Sequence, residues 1–335
     1  MSLSLIVGTA RSGTTWLAKI FDSHPEVIYR HEPDESLPRH SFPAFCSAGE
    51  FDRYREEAAL YLHRLANVRT LRAVGTFPIF RKTYRSSLSH SLRLADMLAL
   101  RLTERAGLAR ITRAIPIPDL FRSSSHASQH VVIKSVNLVD LAGLFARAVP
   151  ELRIILIVRH PCGYVASQMR GISQGRFSDD EISRHITRSE DAKRLGLTLK
   201  RLVNMPLIER LAWEWLICNE KALADLAGLP GAKIVRYPDL AENAVQVAKH
   251  LFAFAGISWH ADTERFLHAS QHSQSGYRYY GVFREADFKD DLDYWHQALN
   301  DEQIRSIFDI VVGSRAGQLF NDQPASVPAT VVRAV

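Results

Sequence analysis

Residues Leu3 to Asp34 constrain the chain more than any other stretch. An apolar run, Leu3 to Val7, meets a loop bounded by Gly8 and Gly13, and Thr14-Thr15-Trp16 then opens a helix. A second apolar run, Val27 to Tyr29, ends in His31-Glu32-Pro33-Asp34. Strand, tight loop, helix and strand make a βαβ unit, whose crossover is right-handed and whose strands run parallel. Such strands present their carboxyl ends on one edge, where open α/β sheets bind ligands. The loop and the acidic cluster around Glu32 are therefore expected to face one crevice.

Gly8 lets the backbone leave the strand sharply, and Gly13 lets it enter the helix without a Cβ in the way. Between them, successive amides can converge on an anion, helped by the positive end of the helix dipole. Ser12, Thr14 and Thr15 add hydroxyls, and Arg11 adds a planar, permanent charge. The Gly8-x4-Gly13 spacing is that of a Walker A loop, but Thr14-Thr15 stand where Lys-Ser/Thr would be. A nucleoside triphosphatase needs that lysine, and a strand-end acid for Mg²⁺. The later strand candidates end in cations instead: Val131 to Lys134, Ile154 to Arg159, Ile234 to Arg236. A pocket edged by Arg11, Lys134, Arg159 and Arg236 suits an anionic nucleotide bound without a metal.

Gly8-Thr9-Ala10-Arg11-Ser12-Gly13-Thr14-Thr15-Trp16-Leu17, followed by Ser23-His-Pro-Glu-Val27 and Glu32-Pro33, resembles the 5′-phosphosulfate loop of the sulfotransferases. The Arg-Ser-Gly-Thr order is most similar to the carbohydrate branch, of the GlcNAc/Gal 6-O type. Val158-Arg159-His160-Pro161 with Ser167 resembles the family's 3′-phosphate segment, with His160 in place of the usual Asp or Asn. The resemblance implies a P-loop-like parallel sheet flanked by helices, the α/β sulfotransferase fold, with a mainly helical insertion. It implies the donor 3′-phosphoadenosine 5′-phosphosulfate (PAPS), the product 3′-phosphoadenosine 5′-phosphate (PAP), no metal, and a carbohydrate or glycolipid hydroxyl as acceptor. Gly8, Thr9, Arg11, Ser12, Gly13, Thr14, Thr15 and Trp16 would then bind the cofactor as its 5′-phosphosulfate loop, and Arg159 and Ser167 would hold the 3′-phosphate. Arg11 and Lys134 would stabilise charge at the bridging oxygen. Glu32 matches the family's Glu-Pro pair and is the expected general base, with His31 as rival; alternation along a strand points only one of them at the acceptor. Tyr237, where Tyr-Pro-Asp-Leu stands for the family's Tyr-Glu-Asp-Leu, either stacks on adenine or packs the following helix. Arg278 and Arg284, in a segment resembling the family's carboxyl-terminal closure, are candidate second contacts to the 3′-phosphate.

At 335 residues and 46% apolar, the chain is long enough for one large α/β domain. The expected layout is a single domain over 1–320 with an insertion near 35–130 and an unstructured tail over 321–335. No apolar run reaches the eighteen residues of a membrane span, and the first strand begins too early to leave room for a signal peptide. Cys46, Cys162 and Cys218 form neither a zinc pattern nor a disulfide framework. These features suggest a cytoplasmic protein, a bacterial-type soluble relative of the anchored Golgi enzymes. Twelve Lys/Arg against three acids between Arg64 and Arg122 concentrate the +6 net charge, which suits an acidic glycan or peripheral contact with a membrane. The oligomeric state has no signature.

Helical periodicity is expected over Glu50–Val68, and over Thr83–Arg113 with Leu88, Leu92, Ala95, Ala99, Leu102 and Ala106 on the buried stripe. Residues 177–202, with mixed charge, read as exposed helices or a lid with no chemistry in their acids. Asn137–Val149 reads as a helix broken by Pro150, Ile208–Leu226 as a long helix, and Trp295–Val312 as the last one. Two rival functions stand beside sulfuryl transfer. One is a divergent P-loop kinase, disfavoured by the missing lysine and magnesium acid. The other is a non-catalytic nucleotide- or nucleic-acid-binding protein; the leucine-rich basic segment has few aromatics interleaved for base stacking, so nucleic acid is not an expected partner.

Overall fold

The computed structural model describes residues 2–37, 41–108, 115–117, 129–176, 178–179, 181–271 and 288–320. Five parallel strands form one sheet: β1 Ser2–Val7, β2 Val27–His31, β3 His130–Ser135, β4 Arg153–Val158 and β5 Ala232–Arg236. Their order is β2-β3-β1-β4-β5. The βαβ unit forms as expected, with its helix over Thr14–Asp22, but β3 lies between its two strands. That insertion decides the site. Register pairs Lys134 with Ile6 on one side and His31 on the other, so the lysine ending β3 sits between the loop after β1 and the acid after β2.

Both faces of the sheet are covered, which is why β3 and β4 read as near-continuous apolar runs. On one face the helices Phe51–Asn67, Ala142–Ala148 and Leu207–Leu226 pack through Leu62, Leu65, Phe145, Leu211 and Trp215. On the other, the Thr14–Asp22 and Ala244–Ala255 helices bury Leu17, Ile20, Phe21 and Phe252. The three cysteines are buried and unbridged. Among the described residues, no helix is long and apolar enough to cross a membrane.

The basic segment departs from its expected packing. In the Ser87–Thr103 helix the inward residues are Ser89, Arg93 and Met97, and the Leu88, Leu92 and Leu102 stripe is exposed. Met97 packs with Leu71 and Ile117 in a small separate cluster, so this helix leans on its own neighbours and not on the sheet. Many of the segment's cations are engaged inside the fold. Lys82 donates to the backbone oxygens of Asp22 and His24 and pairs with the Asp22 carboxylate at 3.0 Å. Lys19 reaches the same carboxylate at 2.7 Å and the carbonyls of Thr76 and Pro78 at 2.6 and 3.0 Å. This buried Lys–Asp–Lys group fastens residues 76–82 to the first helix. Arg101 donates to the Gly75 carbonyl at 3.0 Å.

Two further expectations need correction. The last helical stretch is three helices, Phe288–Ala298, Asp301–Val311 and Arg315–Gln318, because Asn300 and Gln303 form a capping box that starts a new helix. Asn137–Val149 shortens to a 3-10 turn over Val139–Leu141 and the Ala142–Ala148 helix.

Candidate active site at the carboxyl edge of the sheet

The loop after β1 is a tight knot. The Ser12 amide donates to the Thr9 carbonyl at 3.2 Å, and the two hydroxyls lie 2.6 Å apart. Arg11 adopts φ +68° and Gly13 φ +89°, the left-handed region that turns successive amides to one side. Gly13 is required twice over. A Cβ there would lie 2.3 Å from the ring of Tyr237, so the tyrosine closes against the loop. Gly13→Ala is therefore expected to destabilise the fold by roughly 2–4 kcal/mol, from left-handed strain plus overpacking. A melting curve would show it, and an unchanged midpoint would contradict the packing described.

Arg11, Arg159 and Ser167 come together, as the sequence predicts. Arg11 Nε donates to Ser167 Oγ at 3.1 Å, and Arg159 Nη1 donates to the Arg11 carbonyl at 3.0 Å. Pro161 starts the Pro161–Ser173 helix and carries Ser167 inward. Arg159 lies over Tyr237, 5.0 Å from its centroid, and against Gly163, where a Cβ would come 3.1 Å from Nε. Trp215 Nε1 fixes the Arg159 carbonyl at 2.9 Å. Tyr237 thus packs the loop and also lines the cavity. Arg236 sits at the same rim but makes a two-point pair with Asp239 at 2.9 and 2.7 Å.

His160 stacks on Trp295 at 4.7 Å. Both its ring nitrogens are buried without a hydrogen-bond partner among the described residues. Burial, with the nearby His296 and Arg159, pushes it down to about 3, so at neutral pH it adds no charge where the family carries an acid or amide. Arg159, His160, Gly163, Tyr237 and Trp295 wall a cavity of about 630 Å³. Trp16 is buried and donates to Ser270 at 3.2 Å. Arg278 and Arg284 lie outside the described residues.

Beyond β2 the chain turns abruptly, since Glu32 adopts φ +44°. The strand's alternation ends there, and His31 and Glu32 meet in one cluster. Glu32 takes hydrogen bonds from Lys134 and Arg72, and His31 Nε2 approaches it at 3.6 Å. Its amide donates to the Lys134 carbonyl at 2.7 Å. Burial opposes charge on this carboxyl, but Lys134, His31 and Arg72 hold it down at about 2. Burial and the Lys134 charge push His31 to about 3, so it is neutral, with its Nδ1 2.8 Å from the Tyr29 hydroxyl. Arg30 does not pair with Glu32; it donates to the Ala66 and Tyr29 carbonyls. Arg72 was missed by sequence reasoning, because nothing local separates it from the other arginines of the basic segment.

A second cavity, of about 650 Å³, opens beside Thr9 and Ala10 and extends past Asp34, Asn137 and Gln168 to His185 and Glu214. Thr9 and Ala10 of the loop thus line this second cavity directly, while the first meets the loop through Arg159 and holds Arg236 with Asp239, Glu242 and Asp293 on its further walls.

Residues 5–261 match the sequence model of the Sulfotransferase family. The chain belongs to that family. Carbohydrate sulfotransferase 1 of Danio rerio is 23% identical over 84% of this chain and 69% of its own length. Carbohydrate sulfotransferase 5 of Mus musculus is 25% identical over 84% of this chain and 70% of its own. The sulfotransferase domain from the curacin biosynthetic pathway superposes with a TM-score of 0.43 at 15% identity, covering 93% of this chain and 97% of that one, too loosely to add to what the sheet order says. The protein is thus a sulfotransferase similar to carbohydrate sulfotransferases.

Proposed function

We propose that the protein transfers the sulfuryl group of PAPS to a hydroxyl of a carbohydrate or related acceptor. The observation that carries this is the Arg11–Ser167–Arg159 cluster, which joins the loop to a cavity with an arginine, a neutral histidine and a tyrosine on its walls. Arg159 and Ser167 would grip the 3′-phosphate, a group that ATP lacks, through charge-assisted hydrogen bonds. The loop amides, Ser12, Thr14 and Arg11 would hold the 5′-phosphosulfate at the helix N-terminus. The two unpartnered ring nitrogens of His160 leave donor and acceptor capacity for a polar nucleotide.

In the transfer, the acceptor oxygen forms its bond to sulfur as the sulfur–oxygen bond to the 5′-phosphate breaks, and PAP leaves with that electron pair. Arg11 and Lys134 stabilise the charge that develops on the leaving oxygen. The acceptor's proton goes to Glu32. A carboxyl held near 2 is a weak base for a free alcohol, but the proton becomes strongly acidic as the new oxygen–sulfur bond forms, so a weak, well-placed base suffices.

A thermal-shift comparison tests the donor. PAP without metal is expected to raise the melting point, and ATP–Mg²⁺ to raise it less at equal concentration, because only a ligand of the native state shifts the transition. Equal or greater stabilisation by ATP–Mg²⁺ would favour a kinase.

A further inference from the structure

The second cavity is acidic where the sequence leads one to expect an acidic acceptor and hence a basic pocket. Among its described lining residues, the interior carboxylates are Asp34, Asp140 and Glu214. His185 stands between the last two, 3.9 Å from Asp140 and 3.7 Å from Glu214. Burial opposes its charge, but those carboxylates raise it to about 9, so one imidazolium faces two carboxylates. At the exposed rim Glu181 and Arg188 offset each other. Glu214 also accepts from the Tyr164 hydroxyl at 2.8 Å.

Asp34 is the group left over. It is 7% exposed, and Asn137 Nδ2 donates to its Oδ2 at 2.9 Å. Its Oδ1 is buried with no hydrogen-bond partner among the described residues. A buried carboxylate oxygen without a donor is costly, and Asp34 is one of the residues lining the cavity that begins at Thr9 and Ala10. The basic insertion does not reverse this balance, since Arg72 is tied to Glu32 and Glu35 and Lys82 to Asp22.

Resting on the sulfuryl-transfer reading above, we infer that this cavity takes a hydroxyl acceptor bearing a protonated amine, with Asp34 receiving the ammonium. An ammonium supplies both the missing donor and the opposing charge, a neutral sugar hydroxyl supplies only the donor, and a uronate or sulfated sugar supplies repulsion. Asp34 is a specificity residue in this scheme, and Asp140, His185 and Glu214 shape the field around it.

The test uses the full chain saturated with PAP, with uptake verified by the thermal shift, and measures binding of glucosamine, glucose and glucuronate by saturation-transfer NMR. Glucosamine is expected to bind about fivefold more tightly than glucose, the scale of one partly screened charge pair, with glucuronate weakest. In Asp34→Asn the glucosamine advantage should vanish while the PAP shift persists. Glucuronate binding as tightly as glucosamine, no detectable glucosamine binding, or an unchanged order in Asp34→Asn would each overturn the inference. Should Asp34→Asn fail to fold, Glu214→Gln serves in its place and should shrink the same advantage, an unchanged one counting against the inference. A missing PAP shift in the wild type would instead sink the donor reading, so the two failures are distinguishable.

Discussion

Arg159→Ala is expected to raise the KM for PAPS about 100-fold, the scale of roughly 3 kcal/mol for a lost hydrogen-bonded charge pair. Among the described residues, the Arg159 side chain also meets the Arg11 carbonyl, the Tyr237 ring and Gly163. A weakened variant could therefore report a loosened loop, and the discriminating measurement is a ratio. PAP and adenosine 5′-phosphate share base, ribose and 5′-phosphate and differ only in the 3′-phosphate. The wild type should prefer PAP strongly, and Arg159→Ala should lose that preference while its affinity for adenosine 5′-phosphate changes little. Arg159→Lys, which keeps charge but not the planar fork, should fall between. Equal losses for both nucleotides would mean that Arg159 acts through the loop. Undiminished PAP affinity would remove it from the 3′-phosphate site.

Much of this site was legible because its parts are local in sequence. The loop, the Arg159–Ser167 spacing and the strand-end cations each follow from a short stretch ending a strand, and parallel strands put such ends on one edge. Lys134 could be placed near the edge from its apolar run; that it pairs with Glu32 from a strand lying between β1 and β2 follows from the sheet order, which no local pattern encodes. Glu32 could be named from its neighbours in sequence, but not its left-handed turn, which brings His31 and Glu32 into one cluster. The acidic cavity was invisible for the opposite reason. Asp34 belongs to the acidic cluster after β2, but Asp140, His185 and Glu214 come from three other segments, and in sequence each of these looks like an ordinary surface acid or histidine. The Ser87–Thr103 helix misled because amphipathicity marks an apolar face without saying that the face is buried: packing around Met97 won over the longer leucine stripe.

Glu32→Gln should lower kcat by about 10²–10³, the usual range for removing a positioned base, with PAP affinity unchanged. The amide keeps the shape of the side chain and its one oxygen can still accept from Lys134 or from Arg72, though not from both, and it cannot take a proton from the acceptor. The rival, His31, is partly buried and neutral, and its Nδ1 is engaged by Tyr29; His31→Gln should therefore cost turnover less than Glu32→Gln does. A structural role for Glu32 makes a different set of outcomes. Its carboxyl is held near 2, below the ordinary carboxylate value, so the ion pairs stabilise the fold above the unfolded-state value of about 4.5. That contribution is lost as pH falls from about 4.5 through about 2, and the wild type should lose stability over this window more steeply than Glu32→Gln. If Glu32 only braces the sheet edge, the variant will melt lower at pH 7 but turn over normally once folded. If it is the base, turnover collapses even at temperatures where the variant is fully folded and saturated with donor. Undiminished kcat under those conditions would pass the role to another group, with Asp34, which lines the acidic cavity, the first to test.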